Sequence, residues 1–211
     1  MASLSSYITE VRRLLHDANG NFYSDSELTD YINEARTRLV RDTGVLRTLQ
    51  SVTLPQNSET LSFSALPNGI NTLDVLNINL YWGNTRIPLR YLAWTDFNAQ
   101  LRYWQNYVGR PVGFSMYGQQ TIYFGPVPDQ NYQLDVDTVI MPNALTSNSS
   151  VEQIPDPYTS PVAFYAAYKA KFKEQSFGES QIFKQEYQRQ VQSVLNSTFT
   201  RRMPNPYQMN Y

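Results

Sequence analysis

The hydrophobic period changes twice along this chain, and that restricts it to a mixed fold. Apolar residues recur every three or four positions at both ends and every second position in the middle. A helical stripe cannot sit on one face of a strand, nor an alternating pattern on one face of a helix. The pattern therefore predicts an α+β protein: helical hairpins at the N- and C-terminal ends, a central antiparallel β-sheet or small sandwich, and an extended C-terminal arm.

At the start, Leu4, Tyr7, Ile8, Val11, Leu14 and Leu15 share one helical face, with Gly20 as the expected stop. His16 falls in the last turn of that helix, where a partial positive charge is favourable. Ser24 followed by Glu27 has the spacing of a capping box, Leu28, Ile32, Ala35 and Leu39 form the stripe of a second helix, and Gly44 ends it. Two short-linked amphipathic helices are expected to form a hairpin over 1–47.

From residue 48 to 141 the chain reads as strands at 50–54, 60–64, 73–82, 85–89, 112–117, 120–124 and 131–140. Leu73 and Val75 share a face, then Leu76, Ile78, Leu80 and Trp82 continue on the other, which predicts a β-bulge between Val75 and Leu76. Gly83-Asn84 and Gly118-Gln119 are hairpin turns. Pro88 lacks a ladder donor, so its strand belongs at an edge. Thr95 is the expected cap of a short helix over 96–103. The polar, proline-flanked segment 142–157 is expected to be a functional loop or a partly disordered tether. Helical period returns over 158–196, expected to pack with the N-terminal helices: Val162, Tyr165, Ala166, Lys169 and Phe172 trace one stripe, Gly178 breaks it, and Ile182 to Leu195 carry a last helix to about residue 196.

Composition narrows the function. The 211 residues include no cysteine and one histidine, which removes thiolate chemistry, disulfides and multi-histidine metal sites. A chain of this length can bury roughly 70% of its unfolded surface, so it needs no metal or disulfide staple. No apolar run approaches the length needed to cross a bilayer, and the N-terminus lacks a signal-peptide pattern. The expectation is a soluble protein without a membrane partner. Residues 1–50, 51–150 and 151–211 carry net charges of −1, −2 and +2, none basic enough to grip nucleic acid. Gly109, Gly113, Gly118 and Gly125 match no phosphate-loop spacing. Asp135 and Asp137 face one side of a strand and could in principle serve acid–base chemistry or a cation. Their alternation with Leu134 and Val136 instead reads as one wet sheet face. No catalytic, metal or cofactor site is expected, and the chain reads as a non-enzyme.

The C-terminal segment 197–211 has no helical period, two prolines and an unusual load of aromatic and basic residues: Phe199, Arg201, Arg202, Met203, Pro204, Pro206, Tyr207, Met209 and Tyr211. Disordered tails are normally poor in aromatics, whereas Arg, Met and Tyr are enriched at interfaces. Fifteen residues at ~3.3 Å each span roughly 50 Å, enough to reach another chain.

Three blocks carry a family resemblance. FYSDSELTDYINEARTRLVRDTG, GRPVGFSMYGQQTIYFGPVPDQNYQLDVDTVIMPNAL and IPDPYTSPVAFYAAYKAKFKEQSFGESQIFKQEYQRQV, in this order, resemble the second helix, the hairpin-rich segment and the closing helix pair of head-to-tail adaptor (connector, or head-completion) proteins of tailed bacteriophages, of the short-tailed type. The resemblance implies a structural virion protein at the head–tail interface, assembled in the host cytoplasm. It implies a homo-oligomeric ring, commonly of twelve copies, beneath the portal protein, extending the channel for packaged DNA without sequence-specific binding and offering a docking surface to a tail nozzle or tube protein. On that mapping, Phe199, Arg201, Arg202, Met203, Pro204, Pro206, Tyr207, Met209 and Tyr211 would clasp the portal. Gly83, Asn84, Gly118, Gln119, Pro126, Pro128 and Asp129 would face the tail. The competing reading is a carbohydrate- or receptor-binding β-rich virion module, motivated by the tyrosines and by Trp82, Trp94 and Trp104.

Overall fold

The computed structural model describes residues 2–104, 107–118 and 120–200. Its elements fall into two compact units, a helical one from the two ends of the chain and a β one from the contiguous stretch Arg47–Ile140. With five α-helices and two four-stranded sheets among the described residues, the fold is the mixed α+β class that the periodicity predicts.

In the helical unit, α1 (Leu4–Leu14) opens on a capping box between Ser3 and Ser6 and buries Leu4, Tyr7, Ile8 and Val11. It stops earlier than expected. Leu15 is its C-cap, His16 already adopts a left-handed φ of 56°, and Gly20 lies in the following loop. His16 is thus outside the last turn, and its proposed partnership with the helix dipole does not hold. The loop is organised by Asp17, whose carboxylate accepts N–H bonds from Asn21, Phe22 and Tyr23 and pairs with Arg12 at 3.1 Å. Helix α2 (Asp25–Thr43) is capped by Ser24, which accepts the Glu27 N–H, and ends at Gly44, whose φ of 61° suits glycine. The return half of that capping box is replaced: the Glu27 carboxylate takes the Tyr31 hydroxyl at 2.7 Å and pairs with Lys173.

Helix α4 (Pro161–Lys173), numbered after the one helix of the β unit, packs against α1 and α2. It buries Val162, Ala163, Ala166, Ala167 and Ala170, a face of small residues that lets neighbouring helices approach closely. The expected stripe is therefore rotated: Tyr165 and Lys169 are half-buried and Phe172 is exposed. The break after α4 lies at Gln175, with φ 61°, and Gly178 sits in the first turn of α5 (Phe177–Thr200). Segment 142–157 is no tether. Leu145, Glu152 and Ile154 are buried, Val151 bridges to Ser3, and Asn33 exchanges two hydrogen bonds with the backbone of Leu145. It is an integral layer of the helical unit.

In the β unit, β1 (Arg47–Leu54), β8 (Tyr132–Ile140), β3 (Thr72–Trp82) and β4 (Thr85–Pro88) form one antiparallel sheet in that spatial order. The second sheet runs β2 (Thr60–Ser62), β7 (Thr121–Gly125), β6 (Gly113–Tyr117), β5 (Arg90–Tyr91). The two-residue β5 pairs parallel to β6, an eighth strand that the sequence reading misses and an exception to the antiparallel expectation. Pro88 lies on an edge strand, as predicted. The bulge appears as a register shift between Val75 and Asn77, accompanied by a second one between Thr72 and Asp74. The effect is to keep Val75, Ile78 and Leu80 facing inward, leaving Leu73, Leu76 and Trp82 exposed, so the predicted face assignment is corrected. Both sheets contribute to one apolar core including Leu54, Leu61, Ile78, Phe114, Ile122, Phe124, Leu134 and Val136. Helix α3 (Trp94–Trp104) lies against β6 and β7, starting before Thr95 and burying Phe97. Trp104 presses so closely on Gly125 that a Cβ there would fall 2.1 Å from its ring, which is why glycine closes β7.

Candidate functional site

Four connections meet at one end of the β unit. The β1–β2 turn is tied to the β7–β8 loop, with the Gln56 N–H donating to Asn131 Oδ1 at 2.8 Å and the Asn57 N–H to the Pro128 carbonyl at 2.9 Å. The chain leading into β6 joins from the other side, where Val108 pairs with Val127 and the Gly109 N–H donates to Val127 at 2.8 Å. The β3–β4 turn completes the cluster, with the Arg110 guanidinium 4.2 Å above the ring of Trp82. Trp82, Tyr107 and Val108 are each more than half exposed.

This end holds Gly83 and Asn84, both exposed, together with Asp129, which is exposed and accepts the Tyr132 hydroxyl at 2.6 Å. Pro126 and Pro128 belong to the same loop but are buried beneath it. Gly118 sits at the opposite end of β7 in the β6–β7 turn, with φ 68°. Gln119 lies outside the described residues. The tail-facing set named from sequence thus divides between two ends of the unit.

The C-terminal set divides as well. Helix α5 continues to Thr200, so Phe199 belongs to its last turn and not to an extended arm. Arg201, Arg202, Met203, Pro204, Pro206, Tyr207, Met209 and Tyr211 lie outside the described residues. On the helical unit itself, a run of edge-to-face rings, with one tilted pair at Tyr168–Phe172, links Tyr187, Tyr165, Tyr168, Phe172 and Phe177 at centroid distances of 5.1 to 6.1 Å. Arg38, Asp42, Tyr168, Lys184 and Gln188 line a groove of about 560 Å³ beside them. Burial and the carboxylate of Glu34, 3.0 Å away, push the Tyr165 hydroxyl up to about 12. This is a surface of aromatic bodies with tethered polar tips, suited to being covered by protein.

Asp135 and Asp137 do share the wet face of β8, and both are engaged in pairing. Asp135 accepts the Ser51 and Tyr81 hydroxyls at 2.7 and 2.8 Å and lies 3.5 Å from Arg86; Asp137 pairs with Arg47. Burial alone would raise the Asp135 carboxyl, but those two hydroxyls and Arg86 hold it below the usual range. Among the described residues, no group of three or more His, Asp or Glu side chains is placed to hold a metal ion. Two of the three tryptophans are engaged by other rings or by backbone. Trp94 packs among Phe97, Tyr117 and Tyr123, and Trp104 packs on Gly125 and Phe97, while Trp82 stays more than half exposed with Arg110 over its ring.

The most elaborate polar arrangement is one that sequence reasoning misses. Arg36 and Glu152, both buried, form a two-armed ion pair with two N···O distances of 2.7 Å. Arg36 also donates to Asn33 and to the Asn143 carbonyl, while Glu152 accepts from Tyr7 and from the N–H groups of Gln153 and Ile154. Burial would raise the Glu152 carboxyl, but Arg36 and the Ile154 N–H outweigh it and hold it low. The signal was present: Arg36 stands between Ile32 and Leu39 in an otherwise apolar stripe. Every member of the network is spoken for internally, which makes it a structural clamp.

Among the described residues, no helix is long and apolar enough to cross a membrane. The family model described as SU10 adaptor protein matches residues 2–209. No curated protein matches the chain.

Proposed function

The chain belongs to the SU10 adaptor protein family and is thus a structural adaptor of the phage virion, and from that premise we propose that it forms a closed ring, of about twelve copies, between portal and tail. Closure favours this arrangement, because modest heterologous interfaces leave no surface unpaired once a ring is complete. The ring extends the channel for packaged DNA. Its net charge of −1 suits a lumen through which DNA must slide, since a strongly basic wall would hold the phosphates. Portal contact belongs to the helical unit with its aromatic run, together with Phe199, Arg201 and Arg202 at the C-terminal end. Tail contact belongs to the β-loop cluster around Trp82, Gly83, Asn84 and Asp129. No chemistry is assigned to the chain.

The observation that carries this reading is the family match over nearly the whole chain. It is tested by imaging the purified protein alone and mixed with its portal. Annular particles, or a monomer that becomes annular only on the portal, are expected. A chain that stays monomeric and is not retained by immobilised portal would overturn the reading.

A further inference from the structure

The β unit has four sheet edges, and they are protected unequally. Strand β2 has three residues, β5 two, and β4 four ending in Pro88. Strand β1 has eight, Arg47–Leu54, with neither proline nor lysine, and it is bonded on one side only, to β8. Among the described residues, no backbone hydrogen bond reaches it from the other side. A long strand with a free row of N–H and C=O groups is a template for another strand. The core is also unfinished here: Val52 packs against it but is only partly buried.

The chain carries a segment built to such a template. In residues 203–211, Met203, Asn205, Tyr207, Met209 and Tyr211 occupy the odd positions, and Pro204, Pro206, Gln208 and Asn210 the even ones. As a strand, this segment has one face of Met and Tyr interrupted by Asn205, and one face of two prolines followed by Gln208 and Asn210. Its backbone donors alternate too, so both prolines point their missing N–H the same way. They cost nothing if the odd residues bond to β1, and they block growth on the far side. Nine residues also suffice to run along all eight of β1.

Resting on the ring reading above, we infer that residues 203–211 of one copy add as a fifth strand to the open edge of β1 in the neighbouring copy. The Met and Tyr side chains cover Val52, and Gln208 and Asn210 join the wet face beside Leu49 and Thr53. This makes every protomer both donor and acceptor, a head-to-tail contact that closes as a ring.

Because the chain has no cysteine, introduced thiols are unambiguous. Full-length protein carrying Leu49→Cys or Thr53→Cys is mixed with protein carrying Gln208→Cys, assembled on the portal and oxidised. The expected product is a disulfide-linked pair of adaptor chains. In parallel, Met209→Pro removes a donor directed at β1 and should lower ring yield by about ten-fold more than Gln208→Pro, whose N–H lies on the outward row. Rings that form without either cross-link, prolines of equal effect, a link within a single chain, or capture of Gln208→Cys by a portal cysteine scan each overturn the inference while leaving the ring intact. Absence of any ring with unmodified protein removes the ring reading itself, and the inference with it.

Discussion

In the helical unit the largest fully buried side chain is Arg36, clasped by a carboxylate 116 positions further along; in the β unit the two sheets share an apolar cluster, and the buried Gln50 and Thr138 bond to each other at 2.7 Å. The difference follows from how each unit is assembled. The β unit is one contiguous stretch whose register is set by backbone ladders and by a bulge that returns Val75, Ile78 and Leu80 to one face. The helical unit joins two stretches separated by the whole β unit, and apolar helix faces alone specify relative position weakly. A directional ion pair with hydrogen bonds from Tyr7, Asn33 and the 142–157 segment supplies what a ladder supplies elsewhere. Non-directional burial is enough where the backbone already fixes the partners.

That contrast can be broken in order of expected effect. Arg36→Ala leaves Glu152 buried without its counter-charge and should cost the helical unit about 3–5 kcal/mol, read by calorimetry as a lowered transition for that unit with the β transition in place. Arg36→Met together with Glu152→Leu should restore only part of the loss, because the Tyr7 hydroxyl, the N–H groups of Gln153 and Ile154 and the Asn143 carbonyl then lose these partners. If the single variant melts like the parent, the clamp is not what holds the two stretches together. Leu134→Ala should do the reverse, lowering the β transition by about 2–5 kcal/mol.

Acid sharpens the comparison further. The folded Glu152 carboxyl is held below its ordinary value, so its contribution is complete above the unfolded value of about 4.3 and is lost as pH falls through the depressed folded value. Between those two values a melting series should show the helical unit weakening, and Glu152→Gln should reduce that dependence to the part carried by Asp17, Glu27 and Glu174, whose carboxyls are also held low. The smallest effect expected is Ser24→Ala, which removes the cap of α2 at a cost of about 1 kcal/mol, again confined to the helical transition.

Much of the fold was legible residue by residue. Ser24 and Gly44 bound α2 as their chemistry demands, Pro88 marks an edge, and the phase slip at Val75 is a bulge. What was not legible had weak or distant signals. Alanine carries little hydrophobic contrast, so the buried face of α4 was misplaced towards its larger neighbours Tyr165 and Phe172. A helix already nucleated adds one bond per residue, so α5 runs on through Ser197, Thr198 and Phe199 despite their modest propensity. Segment 142–157 looked like a tether because its polar residues were read without partners. The candidate surfaces were half visible: Gly83-Asn84 and Asp129 were named, but Arg110 over Trp82 and the ring run from Tyr187 to Phe177 needed coordinates.

By itself the sequence determined where the backbone could be helix, strand or turn, since those preferences act between residues a few positions apart. It also ruled out thiol and multi-histidine chemistry, because the necessary atoms are missing. Only the tertiary structure decided that Arg36 answers Glu152, that Pro126 and Pro128 lie beneath their loop, and that β1 is left with a free edge. Those outcomes depend on which distant groups share a small volume, and the energy of a charge or an unpaired backbone donor is set by that surrounding and not by its neighbours along the chain.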